Sequence, residues 1–355
     1  MNRMTKMIRA RAPLRLGLAG GGTDVSPYCD EFGGAILNST IGLYAYATIE
    51  PLPTPQVCFV SHDSGLSTEY GSCSEIPPDG MLDLLKAAHN YAVSAFHGGK
   101  PLHLRLSTRV DVPSGSGLGG SSTLVVAVMK AYAEWLSIPL DDYTLANIAF
   151  VIEREKAGLQ GGRQDQYAAA FGGFNFMEFG SHGRVLVNPL RIKESVISEL
   201  EASLLLFYTG ASRSSAAIIS EQSKSVIAGN VVALEAMHHL KQEALRMKEA
   251  LLRGDFELLH EVLRTSWDAK KSMAKQIVSE RIDTLYKRAL DAGAYCAKIS
   301  GAGGGGFMLF LTDPMRKGSV AQVLQSCEET AAVYSCHFTT AGAQAWRLDR
   351  PDPID

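Results

Sequence analysis

Several familiar signals are missing from this chain of 355 residues, and each absence removes a class of function. The six cysteines, Cys29, Cys58, Cys73, Cys296, Cys327 and Cys336, never form a CxxC pair. That speaks against zinc sites and a disulfide framework, and the thiols read as buried groups of a reducing compartment. No apolar run approaches the roughly 20 residues of a membrane-spanning helix. The basic start, MNRMTKMIRARAPLRLG, lacks the apolar stretch of a signal peptide, so the expected location is the cytoplasm with no membrane partner. Basic residues are not in excess either. Lys and Arg number 34 against 37 Asp and Glu, and a net charge of −3 leaves no electrostatic footprint for nucleic acid. There is no internal repeat, and no low-complexity segment apart from runs of glycine.

What is present is an ordinary globular composition, 46% hydrophobic and 20% charged, in a chain long enough for two cores. AYATIE (residues 45–50) and LHLRLSTRV (102–110) alternate as half-buried strands. From Leu124 through Val128, Tyr132 and Leu136 the apolar spacing is helical, so the glycine-rich loop before it joins a strand to a helix N-terminus. LLLFYTG (204–210) reads as a buried strand. Ala233, Met237, Leu240, Ala244, Met247 and Leu251 then mark an amphipathic helix, with a second after a break at Gly254. CAKIS, GFMLFLT and GAQAWRL read as closing strands. KQEALRMKEALLR reads as a solvated helix face, and His238–His239 as rim positions. The mixture implies an α/β or α+β protein, with the domains divided near Gly180, as 1–180 and 181–355.

Glycine clusters stand out at residues 18–24, 112–123 and 300–306. The last two match GxGxxG literally, so a dinucleotide site has to be weighed. Residues 301–306 run into a strand rather than a helix, and residues 115–120 lack the acidic partner about 20 positions on, so that reading is weak. A glycine- and serine-rich loop at a helix N-terminus offers unpaired N–H groups and the positive end of the helix dipole to an anion. The competing reading is a tight turn in which Ser121 or Ser122 only caps the helix.

All three clusters together resemble the GHMP kinase superfamily. APLRLGLAGGGTD resembles its first motif, PSGSGLGGSST its phosphate loop, and KISGAGGGGFMLF its third motif. The resemblance implies an α+β, two-domain fold, with an N-terminal domain like ribosomal S5 domain 2 and a ferredoxin-like C-terminal domain. It implies ATP and Mg2+ as cofactors. Gly115, Ser116, Gly117, Leu118, Gly119, Gly120, Ser121 and Ser122 would hold the ATP phosphates, and Gly301, Gly303, Gly304 and Gly305 would form the third-motif loop. The loop departs from the family in carrying Gly120 where many members have serine, leaving Ser121 as the metal ligand. GGGTD replaces the Gly-Glu-His-Thr-Asp run of galactokinases, which argues against galactose.

In IEREKAGLQGGRQDQYAAAFGG, Glu153, Gly158 and Asp165 match the family's spacing of a magnesium-binding glutamate, a glycine and a catalytic aspartate. Metal ligands would then be Ser121 and Glu153, while Glu155 reads as a solvated carboxylate. Asp165 would orient or deprotonate the attacking hydroxyl, or serve as a helix cap. Arg15 would stand beside it and face the transferred phosphoryl group. Thr23 and Asp24 match the end of the sugar motif, with an Asx turn as the other reading of Asp24.

RAPLRLGLAGGGTD and GGRQDQ most resemble the heptose 7-phosphate kinases of this family, with bacterial fucokinase domains as relatives. That implies phosphorylation of the anomeric hydroxyl of D-glycero-D-manno-heptose 7-phosphate by a monomer or homodimer. A substrate that carries a phosphate needs cations away from the reacting end, and Arg163 and Arg213 are the candidates. The rival readings are a kinase of a free sugar such as fucose, a sugar-binding regulator that lost catalysis, and an RNA-binding N-terminal half.

Overall fold

The computed structural model describes residues 5–210, 215–273, 279–301, 303, 305–327 and 331–350. Seven strands of the first part are β1 (Thr5–Ala19), β2 (Gly34–Pro51), β3 (Gln56–Ser61), β4 (Leu66–Gly71), β5 (Leu104–Val110), β6 (Phe174–Phe179) and β7 (Val185–Pro189). The rest are β8 (Leu204–Tyr208), β9 (Ala294–Ile299), β10 (Phe307–Thr312), β11 (Ala332–Tyr334) and β12 (Gln344–Arg350). Eight strands form one sheet in the order β12-β1-β2-β5-β3-β4, and β6 and β7 branch from β2. The branch arises because β2 is 18 residues long: its start pairs with β6 and its end with β5. Among the described strand pairs only β3 and β5 run parallel. The second sheet is antiparallel, β11-β8-β10-β9. Its β10, FMLFLT, is buried along its whole length, as expected of an apolar run covered on both faces.

The helix Gly120–Leu136 lies against β1 and β2 and buries Val125, Val128, Met129 and Tyr132. Helices Val231–Arg253 and Phe256–Met273 pack on each other and are joined at Gly254, whose φ of 72° ends the first helix in the left-handed region. One apolar core fills the space under the large sheet. Another gathers Leu14, Leu16 and Leu18 of β1 with Leu204, Leu206, Leu309 and Leu311 of the second sheet. The two sheets therefore share a core beside β1, and the glycine-rich loops around Gly117 and Gly301 cross each other.

The expected division near Gly180 falls within the strand order of the first sheet. Gly180 sits between β6 and β7, so the first sheet continues to Pro189, and β12 then returns from the far end of the chain to pair with β1. Within the solvated-looking KQEALRMKEALLR stretch, Glu243 is buried, receiving hydrogen bonds from Arg246 at 3.0 Å and Thr265 at 2.6 Å. No helix among the described residues is long and apolar enough to cross a membrane.

Candidate active site

The glycine- and serine-rich loop leads into the helix Gly120–Leu136 as the sequence implies, and the structure does not bear out the serine-cap reading. The residue at the cap position is Gly119, φ 78°, and no side chain caps the helix. The serines are engaged elsewhere: Ser121 Oγ donates to Glu153 Oε1 at 2.8 Å, and Ser122 Oγ accepts from Gln166 Nε2 at 3.2 Å. The first-turn N–H groups thus face a cavity of about 250 Å³ without a side-chain partner, an arrangement suited to an anion. Gly115, Ser116, Gly117, Gly119, Gly120, Ser121 and Ser122 line it. Leu118 does not: its side chain is fully buried in the core, and its carbonyl accepts from the Arg15 N–H at 3.2 Å. Its side chain and carbonyl anchor the loop, so the group it offers a phosphate is its backbone N–H alone.

The third glycine cluster braces this loop through backbone contact. A Cβ on Gly117 would lie 2.6 Å from the Ser300 carbonyl oxygen, and one on Gly301 would lie 2.8 Å from the Gly117 carbonyl oxygen. Both residues also have left-handed φ, 83° and 71°, so the crossing leaves no room for a side chain and strains any residue that carries one. Gly301 reaches the cavity, Gly303 and Gly305 continue the turn, and Gly304 lies outside the described residues.

Across the cavity, Arg15 Nε donates to Asp165 Oδ1 at 2.7 Å, and its Nη1 donates to the Gly117 carbonyl at 2.6 Å. Arg15 is buried, while Asp165 is partly open with Oδ2 free of hydrogen bonds to described residues. The ion pair thus fixes one carboxylate oxygen and leaves the other beside the loop. Glu153 belongs to a π-helical turn, Val151–Lys156, which turns both Ile152 and Glu153 inward. Besides Ser121, Glu153 meets Gln166 Nε2 at 2.7 Å and Arg154 Nη1 at 3.3 Å. Glu155 is exposed. Among the described residues no three His, Cys, Asp or Glu side chains cluster as a metal cage. The Ser121 hydroxyl with the Glu153 carboxylate is instead a donor set of the kind that holds Mg2+ together with nucleotide phosphates and water.

On the opposite wall Asp24 is buried, and its Oδ2 accepts the N–H groups of Arg163 and Gln164 at 2.9 and 3.0 Å, at the start of helix Gln164–Phe171. Burial raises its pKa against those hydrogen bonds. A Cβ on Gly162 would fall 2.0 Å from that oxygen, which is why GGRQD carries glycine there. Thr23 is beside it but faces the fold: its hydroxyl lies 2.8 Å from the Gly20 carbonyl and accepts from the Ala35 N–H at 3.1 Å. Arg163 departs further from expectation. Its guanidinium stacks on the Phe150 ring, 3.9 Å from the centroid, and does not line the cavity. Arg213 lies outside the described residues.

Sequence reasoning missed two side chains. Gln222, from helix Ser215–Ile227, lines the cavity, is 6% exposed, and makes no hydrogen bond to a described residue. Lys270, from helix Phe256–Met273, lines it too, at 2% exposure. Lys270 follows Leu259, Val262 and Ser266 along the buried face, so a charged residue on a helix's apolar stripe was the available signal. A second cavity, about 560 Å³, adjoins the same π-helical turn and is lined by Ile76, Pro78, Asn90, Tyr91 and Lys156.

Two family models match: GHMP kinases N terminal domain over residues 83–173, and GHMP kinases C terminal over residues 247–329. A D-glycero-alpha-D-manno-heptose 7-phosphate kinase of Campylobacter jejuni is 48% identical over 343 residues, covering 97% of this chain and 100% of the relative. A crystal structure described as a D-glycero-D-manno-heptose 1-phosphate kinase from Bacteroides thetaiotaomicron is 40% identical with a TM-score of 0.81, covering 97% of this chain and 100% of that one. The galactokinase of Lactococcus lactis, at 17% identity, shares the fold with a TM-score of 0.74 over 95% of each chain. Nearly full-length identity agrees with the two-part fold and the crossed glycine loops, and the chain belongs to the GHMP kinases, a family of phosphotransferases.

Proposed function

We propose that this chain transfers the terminal phosphoryl group of ATP to the anomeric hydroxyl of D-glycero-D-manno-heptose 7-phosphate, giving the 1,7-bisphosphate and ADP. The observation that carries the reading is the uncapped helix N-terminus facing the same cavity as an Arg15-held Asp165. An anion cradle beside a carboxylate with one free oxygen is what phosphoryl transfer to a hydroxyl requires.

In this reading the backbone N–H groups of residues 115–122 bind the nucleotide phosphates. Ser121 and Glu153 hold the magnesium ion, which when bound neutralises phosphate charge. Asp165 Oδ2 accepts a hydrogen bond from the anomeric hydroxyl, aligns it, and takes its proton as the new O–P bond forms and the bond to the ADP oxygen breaks. Arg15 keeps Asp165 in place and offsets the charge that develops near the loop. Asp24 and Gln222, with polar atoms on the cavity wall that no described residue pairs, take sugar hydroxyls. The adenosine end fits the second cavity, which begins on the turn that carries Glu153.

The printed names of the two similar kinases differ in where their heptose carries its phosphate. An acceptor phosphorylated at position 7 leaves the anomeric hydroxyl free, and the more similar relative supports that choice. The test is ³¹P NMR of the protein with Mg-ATP and heptose 7-phosphate, with heptose 1-phosphate, fucose and galactose in parallel. A new anomeric phosphate signal with the 7-phosphate alone is expected. A product from another acceptor would move the substrate, and no product from any of them, with ATP bound, would favour a non-catalytic sugar binder.

A further inference from the structure

Lys270 is a buried cation that no carboxylate of the described residues pairs. Its ammonium has three N–H donors, yet its one hydrogen bond among the described residues runs to the Gly301 carbonyl at 2.6 Å. No carboxylate of the described residues comes within ion-pair distance of it, although burying an unpaired charge is costly. The carbonyl it binds belongs to the loop crossing, where Gly301 meets Gly117 and Gly117 meets Arg15. The ammonium therefore stands beside the Gly117–Gly301 crossing, on the wall of the cavity that Arg15, Asp165 and the first turn of the helix Gly120–Leu136 also line.

Resting on the phosphotransferase reading above, we infer that Lys270 is a further catalytic residue, whose ammonium contacts the terminal phosphate of the nucleotide and stays with it during transfer. It supplies from the second half of the chain the positive charge that the Arg15 guanidinium, bound to Asp165 and the Gly117 carbonyl, cannot fully direct at the phosphate. No proton or covalent bond passes through Lys270. The charged groups that face it are Arg15 from β1, Asp24 from the loop that follows, and Lys298 from β9. Burial, with Arg15 adding to it and Asp24 opposing, brings the Lys270 pKa down to about 8, while burial and both neighbouring cations hold Lys298 far below its ordinary value. The contact is thus made by a cation below about pH 8 and weakens above it.

The test compares ATP and ADP binding by titration calorimetry for the wild type, Lys270→Met and Lys270→Arg, followed by steady-state transfer. The wild type is expected to prefer ATP. Lys270→Met should lose about tenfold or more of that preference with ADP affinity unchanged, and kcat should fall about 10²–10³-fold. Lys270→Arg should recover part of both. In the wild type, kcat/KM for ATP should decline above about pH 8, and the arginine variant should lose that decline. An unchanged ATP preference in Lys270→Met overturns the assignment. So does a defect that disappears when unphosphorylated heptose replaces the sugar phosphate, since the lysine would then serve the acceptor's phosphate. Should Lys270→Met fail to fold, a wild-type kcat/KM that stays flat to pH 10 overturns it as well. A wild type with the expected lysine-dependent ATP preference but no transfer to any sugar would sink the kinase reading while the phosphate contact stood.

Discussion

Lys86 and Lys270 are similarly shielded from solvent and opposite in character. Lys86, 1% exposed on the helix Asp83–Tyr91, touches Asp79 and Asp83, the latter at 3.2 Å, and lies 5.3 Å from the Tyr70 ring centroid. Burial alone would lower its pKa, but hydrogen bonds to Asp79, Tyr70 and Asp83 outweigh that and leave it raised. Lys270, 2% exposed, has one carbonyl and no carboxylate among the described residues, and its pKa is lowered to about 8. The first charge is satisfied by the fold and pins a loop. The second has no such partner among the described residues and faces the cavity. Between these two lysines of similar exposure, the partner list separates structure from function better than exposure does.

The sharpest way to disturb that contrast is to create a second unpaired cation in the site. Asp165→Asn removes the carboxylate that Arg15 holds at 2.7 Å, and with it the acceptor's proton partner. Transfer is expected to fall about 10²–10⁴-fold with ATP affinity changed only severalfold, measured by ADP release and calorimetry. A loss under about tenfold would remove Asp165 from the chemistry.

Next in size is an effect of unusual sign. Lys270→Met replaces an unpaired buried ammonium by an apolar chain of similar length, so urea denaturation should show a gain of about 1–4 kcal/mol in stability at pH 7. The native pKa of about 8 lies below the ordinary 10.5, so between those values the native state binds fewer protons than the unfolded chain. Wild-type stability therefore gains from this group as pH rises through that window, and the advantage of Lys270→Met should be largest below pH 8 and fade toward pH 10.5. Lys86→Met should do the reverse on a smaller scale. It breaks contacts with two partly exposed carboxylates, and Tm should fall by no more than about a few degrees. A stability loss in Lys270→Met as large as in Lys86→Met would erase the distinction between them.

How much of this was legible in the sequence follows from where the information resides. Anion sites built of backbone are written locally, because a chain that must present bare N–H groups and cross another loop needs glycine at Gly117, Gly119 and Gly301. Glu153 and Asp165 could be named because the family spacing is local too. Side-chain direction within a motif could not be read: Leu118 and Thr23 sit in the right loops but face the core and the turn. The β12–β1 pairing joins residues more than 330 positions apart, and nothing near either strand records it, so the sheet's true limits were invisible. Lys270 was visible only as an anomaly on an apolar helix face.

Arg163 makes the smallest expected effect and the most direct test of pairing as the criterion. By sequence it sits two residues before Asp165, where a cation for the sugar phosphate would be useful. In the fold, its backbone N–H serves Asp24 while its guanidinium covers Phe150 at 3.9 Å and approaches the Gly183 backbone. A stacked guanidinium already has its partner, and the contact contributes only about 0.5–1 kcal/mol. Arg163→Ala keeps the N–H that Asp24 accepts, so KM for the sugar phosphate should change by less than about threefold, with a stability loss within that range. A tenfold rise in KM confined to the phosphorylated acceptor would mean that the arginine leaves Phe150 when substrate binds. In that case a satisfied cation in the free protein would be no guide to its role in the complex, and the inference drawn from Lys86 and Lys270 would have to be limited to charges held by carboxylates.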